Sequence, residues 1–241
     1  MNVLIFTKLT FVLFGILVGF PLSSFAGVGL GSTRIVIHES VQDVSVPVEN
    51  SGSRSVLVQA WLDDGTADFA PEDVRTPLMV NLPIFRLDPG EERYIKVRTI
   101  ADEGLASDRE SLYWLNILEV PSRGAVVHED SEFLVKTRSR IKVFYRPPGL
   151  SGAPYDAFKA LRWHWTGEGS ERTLVAINPT PWHVSLTHTI VDQTIINNGD
   201  GVVAPFGETR WLVPEGRGSD LESGWVDDRG LEQRGWALVE G

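Results

Sequence analysis

The chain predicts an all-β fold in two domains. Short runs rich in Val, Ile and aromatic residues alternate apolar with polar positions, and turn residues bound them every ten or so positions. No window of a dozen residues keeps a 3.6-residue apolar period, which speaks against long helices. The clusters Pro147-Pro148-Gly149 and Ser151-Gly152-Ala153-Pro154 then divide this pattern in two, as a hinge between domains does.

Residues 1–26 read as a secretory signal peptide. Lys8 precedes an apolar run over residues 9–20, and Ser24 and Ala26 stand three and one positions before a cut at Gly27. The run is broken at Pro21 and is short against the roughly 20 residues of a spanning helix. No later stretch is long and apolar enough to span, so the expectation is a chain outside the cytoplasm with no stable membrane insertion.

After the leader, strands are expected over residues 33–37, 43–49, 55–62, 92–99, 111–120 and 132–145. Asn50-Ser51-Gly52 and Asp88-Pro89-Gly90 supply strong turns between them. Six or seven short strands over about 120 residues is the pattern of an immunoglobulin-like sandwich. The first domain is therefore placed at residues 27–148. The second, at 149–241, is a smaller β-sandwich with strands at 160–166, 172–178, 183–191, 209–213 and 236–239.

Composition excludes several function classes. The net charge of −10 falls to −11 once the leader removes one lysine and no acid, which argues against nucleic acid as a partner. The absence of cysteine removes thiol nucleophiles, thiolate zinc sites and iron–sulfur clusters. Five histidines, His38, His128, His164, His183 and His188, show neither helical zinc spacing nor a Gly-x-Ser-x-Gly context. His183 and His188 read as surface or edge residues of one strand. No enzyme, metal or cofactor is expected. Trp163, Trp165, Trp182, Trp211, Trp225 and Trp236 read as packing residues of the second domain rather than a sugar platform.

The segment over residues 132–145 is far longer than the usual five or six residues of a strand. Its odd positions run Phe133, Val135, Thr137, Ser139, Ile141, Val143 and Tyr145, while its even positions carry Lys136, Arg138, Arg140 and Lys142 on one face. Such a basic face fits two readings. It can protect a sheet edge from unwanted pairing, or it can belong to a strand that adds itself to another protein's sheet.

Family resemblance favours the second reading. Arg140-Ile141-Lys142-Val143-Phe144-Tyr145-Arg146-Pro147 resembles the signature of periplasmic pilus-assembly chaperones, the partners of outer-membrane ushers. The block from Asp108 to Asn116 with Glu119-Val120-Pro121, the run Arg86-Leu87-Asp88-Pro89-Gly90, the motif Asn178-Pro179-Thr180-Pro181 and the opening Thr33-Arg34 resemble further family blocks, in family order. The resemblance implies two immunoglobulin-like domains joined at an angle with a cleft between them, in the periplasm. It implies that the chain binds pilus or fimbrial subunits by donor-strand complementation and delivers them to an usher. Arg34 and Lys142 match the pair that binds the subunit's C-terminal carboxylate. Phe133, Val135 and Thr137 match the side chains that fill the subunit's groove, although Thr137 departs from the usual larger apolar residue. Glu110, Arg146 and Asp228 match an interdomain charge network of structural character, with Asp227 as the alternative to Asp228. The short connection between Pro121 and Ser131 resembles the short-loop group of the family, which assembles thick rod-like pili. An exposed strand edge also makes self-association of the free protein an expectation.

Overall fold

The computed structural model describes residues 27–41, 43–65, 75–100, 104–121, 135–196, 201–214, 216 and 218–240. The expected leader and Phe133 lie outside the described residues.

The first half comprises β1 (Val28–Leu30), β2 (Arg34–His38), β3 (Asp43–Asn50), β4 (Val56–Asp63), β5 (Leu78–Val80), β6 (Ile84–Leu87), β7 (Glu92–Thr99), β8 (Ser111–Pro121) and β9 (Thr137–Arg146). They form a four-stranded sheet in the order β1-β3-β7-β5 and a five-stranded sheet in the order β2-β9-β8-β4-β6. Alternation sets what lies between them: Val46, Val48, Ile95 and Val97 from one sheet meet Ile37, Val58, Leu115 and Val143 from the other. Each such fully buried side chain stabilises the sandwich by about 1.5–3 kcal/mol. β1, β5 and β6, at three or four residues, are too short for alternation to reveal.

β9 is described from Thr137, and Val135 and Lys136 before it lie outside the strand, unlike the continuous strand expected from residue 132; residues 132–134 lie outside the described residues. Its ladder to β8 ends at the Glu119–Thr137 pair, and the next positions of β8, Val120 and Pro121, pair only with Leu57 and Val56 of β4. Pro121 has no N–H to continue the ladder. Val135 and Lys136 follow as exposed residues outside the strand.

The second half opens with a 3₁₀ turn (Pro154–Asp156) and α1 (Ala157–Ala160), where the sequence reading begins a strand at residue 160. Phe158 of α1 is the physical reason: it is buried and stacks on Trp225 with ring centroids 3.9 Å apart, so packing decides the conformation of a segment with no local periodicity. There follow β10 (Arg162–Thr166), β11 (Thr173–Ile177), β12 (Val184–Val191), β13 (Thr194–Ile195), β14 (Gly201–Val203), β15 (Glu208–Leu212), β16 (Asp220–Val226) and β17 (Glu232–Glu240). The layer β10-β11-β15 joins the layer of β12, β13, β14, β16 and β17 through a short parallel pairing of Trp163 with Val239 and His164 with Glu240. Trp163, Leu174, Leu186, Leu221 and Trp225 fill the space between the layers.

Trp163, Trp182 and Trp225 are buried, and Trp165 and Trp211 pack against that core. Trp236 is different, being 75 % exposed on the outward face of β17. Among the described residues no helix is long and apolar enough to cross a membrane.

Candidate functional site

The site is organised by the pairing of β2 with β9. The two strands run parallel in a register that sets Arg34 opposite Lys142 and continues to His38 opposite Arg146. Directly opposed residues project to the same side of a sheet, so two cations stand side by side on the outward face. β2 begins at Arg34, whereas β9 begins five residues before Lys142. Residues 137–141 therefore pair with β8 on one side, and no described strand lies on their other side. This one-sided edge leads straight to the Arg34–Lys142 pair. Thr137 is exposed at its start and Val135, just outside it, is 71 % exposed.

Around Arg34 the two domains enclose a cleft of about 270 Å³, lined among others by Phe144, Arg146, Tyr155, Phe158 and Asp228. Arg34 Nη1 donates to the Val226 carbonyl of the second domain at 2.8 Å, and its guanidinium lies 5.5 Å from the Phe144 ring centre. Burial lowers its pKa from the ordinary arginine value, against the pull of Asp228, Asp227 and Glu110, and the group remains a cation at neutral pH. Lys142 Nζ lies 5.5 Å from the centre of the Trp114 ring. Cations held this way suit a carboxylate, whose charge must be paired once it leaves water.

Arg146, the last residue of β9, ties the domains together. It is only 6 % exposed; Nε donates to Glu110 Oε1 at 2.9 Å, while Nη1 and Nη2 donate to Asp228 Oδ2 and Oδ1 at 2.7 and 2.6 Å. Burial opposes its charge, but the Asp228 hydrogen bonds and the Glu110 carboxylate outweigh it and hold its pKa above the ordinary value. Asp228 is thus the acid that faces Arg146. Asp227 instead closes its own turn, accepting from the amides of Arg229 and Leu231 at 2.9 and 3.0 Å. Gly230 completes that turn with φ +79°, where a Cβ would collide with the Thr33 hydroxyl of the first domain.

His183 is a correction to the sequence reading. Its side chain is buried at the domain junction rather than on a surface edge, with Nδ1 3.1 Å from Glu110 Oε2 and its own amide donating to the same oxygen at 3.1 Å. The available signal was its position two residues after the Asn178-Pro179-Thr180-Pro181 motif, whose Pro181 carbonyl accepts from the Glu110 amide at 2.9 Å. Asn178 fixes that turn: its Nδ2 donates to the carbonyls of Trp182 and Ala204, and its Oδ1 accepts from the Thr180 amide. Nor is the basic face of β9 an array of solvated charges. Arg138 and Arg140 bind Asp63 and Asn116, a buried pair that the sequence reading did not single out.

Two β-sandwiches around a cleft lined by both arginines and acids, with an open strand edge leading to it, are the geometry of a binding protein. Residues 27–151 match the family described as pili and flagellar-assembly chaperone, PapD N-terminal domain, and residues 156–237 match the pili assembly chaperone PapD, C-terminal domain. The chain is 38 % identical over 170 residues to a probable fimbrial chaperone, YadV, of Escherichia coli K12, covering 70 % of this chain and 69 % of that protein. It is 31 % identical over 227 residues to the chaperone protein HifB of Haemophilus influenzae, covering 90 % of each. The crystal structure of the YadV chaperone superposes with a TM-score of 0.72 at 31 % identity, covering 88 % of this chain and all of that one. The chain belongs to the PapD-like family of pilus-assembly chaperones, which is not an enzyme family.

Proposed function

We propose that this chaperone works in the periplasm by donor-strand complementation, lending the start of β9 to a pilus subunit that lacks one strand, and then hands the subunit to an outer-membrane usher. The observation that carries the reading is the register of β2 against β9, which ends the one-sided edge at two opposed cations. Residues 137–141 offer main-chain groups to a partner strand, and main-chain pairing gives affinity while alternate side chains give specificity. Val135 and Thr137, with Phe133 before them, fill the subunit's groove. Arg34 and Lys142 take its C-terminal carboxylate and fix where the added strand starts. Thr137 calls for a shallower or more polar pocket there than a large apolar residue does. Glu110, Arg146 and Asp228 hold the domain angle that forms the cleft. No nucleotide is needed, because the captured subunit retains folding free energy that is released when another subunit's extension replaces the borrowed strand.

The test is co-purification of periplasmic subunits with the wild-type chain and with Lys142→Ala and Arg34→Ala. Losing one side of a desolvated charge pair costs about 2–5 kcal/mol, so recovery should fall more than tenfold while the chain stays folded. Lys142→Ala is the cleaner variant, since Arg34 also bonds the second domain through Val226. Unchanged recovery with both variants would remove the carboxylate anchor.

A further inference from the structure

The outward face of β9 carries a clamp that the cleft does not account for. Asp63, the last residue of β4, is 1 % exposed. Its Oδ1 accepts from Arg140 Nη2 at 2.5 Å and from the Gly65 amide at 2.9 Å. Its Oδ2 accepts from Asn116 Nδ2 at 2.7 Å and lies 3.4 Å from Arg138 Nη2. Asn116, fully buried on β8, completes the cycle, because its Oδ1 accepts from Arg138 Nε at 2.9 Å and Nη2 at 2.7 Å. The guanidinium groups lie 5.1 Å from the Trp61 ring centre for Arg138 and 4.3 Å from that of Trp114 for Arg140, so the rings floor the clamp. One carboxylate on β4 thereby reaches across β8 and grips β9.

What it grips is the one-sided segment. On the core-facing side of residues 137–141 there is little to hold the strand: Thr137 is exposed, Ser139 is half-buried, and Ile141 is the first core residue. A ladder with one neighbour and few apolar contacts is where local opening concentrates. We propose that Asp63 is the positioning residue of this edge, holding Arg138 and Arg140 so that the main chain of residues 137–141 stays extended against β8 before any partner strand arrives. An edge ordered in advance costs a partner less on binding. Only this last step rests on the donor-strand reading; the ordering of the free strand does not.

Asp63→Asn tests it, because the amide keeps the size and the acceptor for Gly65 while removing the charge that holds two guanidinium groups. In the free protein, hydrogen exchange of the β8-bonded amides within residues 137–141 should quicken about tenfold or more, with amides of residues 143–145, flanked by both β2 and β8, unchanged. Asp63→Glu, which restores the charge, should return most of the protection. Unaltered exchange at 137–141, or a uniform rise across both domains, would overturn the positioning role. With a pilus subunit of its own system co-expressed, Asp63→Asn should recover less subunit than wild type. Equal recovery despite faster exchange would overturn the link between edge order and capture. Failure of the wild-type chain to capture any subunit would instead sink the donor-strand reading, with the exchange measurement still deciding the clamp.

Discussion

Glu110 shows how much one side chain can carry. It is buried, and its two oxygens receive Arg146 from β9, the His183 ring and the His183 amide. Its own amide donates to the Pro181 carbonyl at 2.9 Å. Burying an acid is costly unless each lone pair finds a donor, and here the donors come from both domains. Among the described residues, Glu110→Ala leaves Arg146 with the half-exposed Asp228 as its remaining acid and His183 with none, and breaking a buried pair in this way costs about 3–5 kcal/mol. Urea unfolding should show a loss of that size. A loss below about 1 kcal/mol would place the network among ordinary surface charges. Lys136→Glu is the contrasting case: an exposed residue outside β9, whose reversal should leave both stability and subunit recovery near wild type. Tenfold weaker recovery with this variant would show that the charge there touches the partner.

Among the elements, the turn between β16 and β17 sets where the second domain meets the first. Asp227 caps it, Asp228 reaches Arg146, and Gly230 packs against Thr33. Gly230→Ala meets both a left-handed backbone and a collision with the Thr33 hydroxyl, at a cost of about 1–3 kcal/mol or a shift of the turn. Small-angle scattering should then report a changed angle between the domains, and an unchanged profile with an unchanged melting temperature would refute the close packing. The same turn responds to acid. Partial burial works to raise the Asp227 pKa, but the Leu231 and Arg229 amides and the Arg229 guanidinium outweigh it and hold it below the usual carboxylate value. A depressed pKa stabilises the folded state above the unfolded value of about 3.9 and loses that contribution as pH falls through the folded one. Asp227→Asn should therefore melt below wild type at pH 5, and the gap should narrow as pH falls below the unfolded value. A gap that does not narrow on acidification would assign the effect to shape rather than charge.

For the whole molecule, strand alternation and the Pro-Gly clusters made the all-β class and the division into two halves legible in the sequence, because alternate burial leaves a period of two wherever a strand has one wet face. The blocks around Arg34, Glu110 and Lys142 were legible through resemblance. α1 was not legible, because four residues carry no period and Phe158 is placed by Trp225 across the core. β16 was hidden by Asp220, Glu222, Ser223 and Gly224, which break the apolar pattern although Leu221 and Trp225 are buried. The start of β9 was placed too early because alternation runs on through Val135 and Lys136, beyond the last β8 pair at Thr137. His183 and Asp63 belong to the same class of miss: a lone histidine or aspartate announces nothing until its partners are known. The sequence by itself determined which residues could form strands and which faces could be buried, since both follow from neighbours along the chain. Only the tertiary structure decided that β2 stops short of the first half of β9, that Asp228 and not Asp227 meets Arg146, and that Asp63 reaches Arg138 and Arg140. Register and charge pairing are set between segments some 75–110 residues apart, and no local pattern records them.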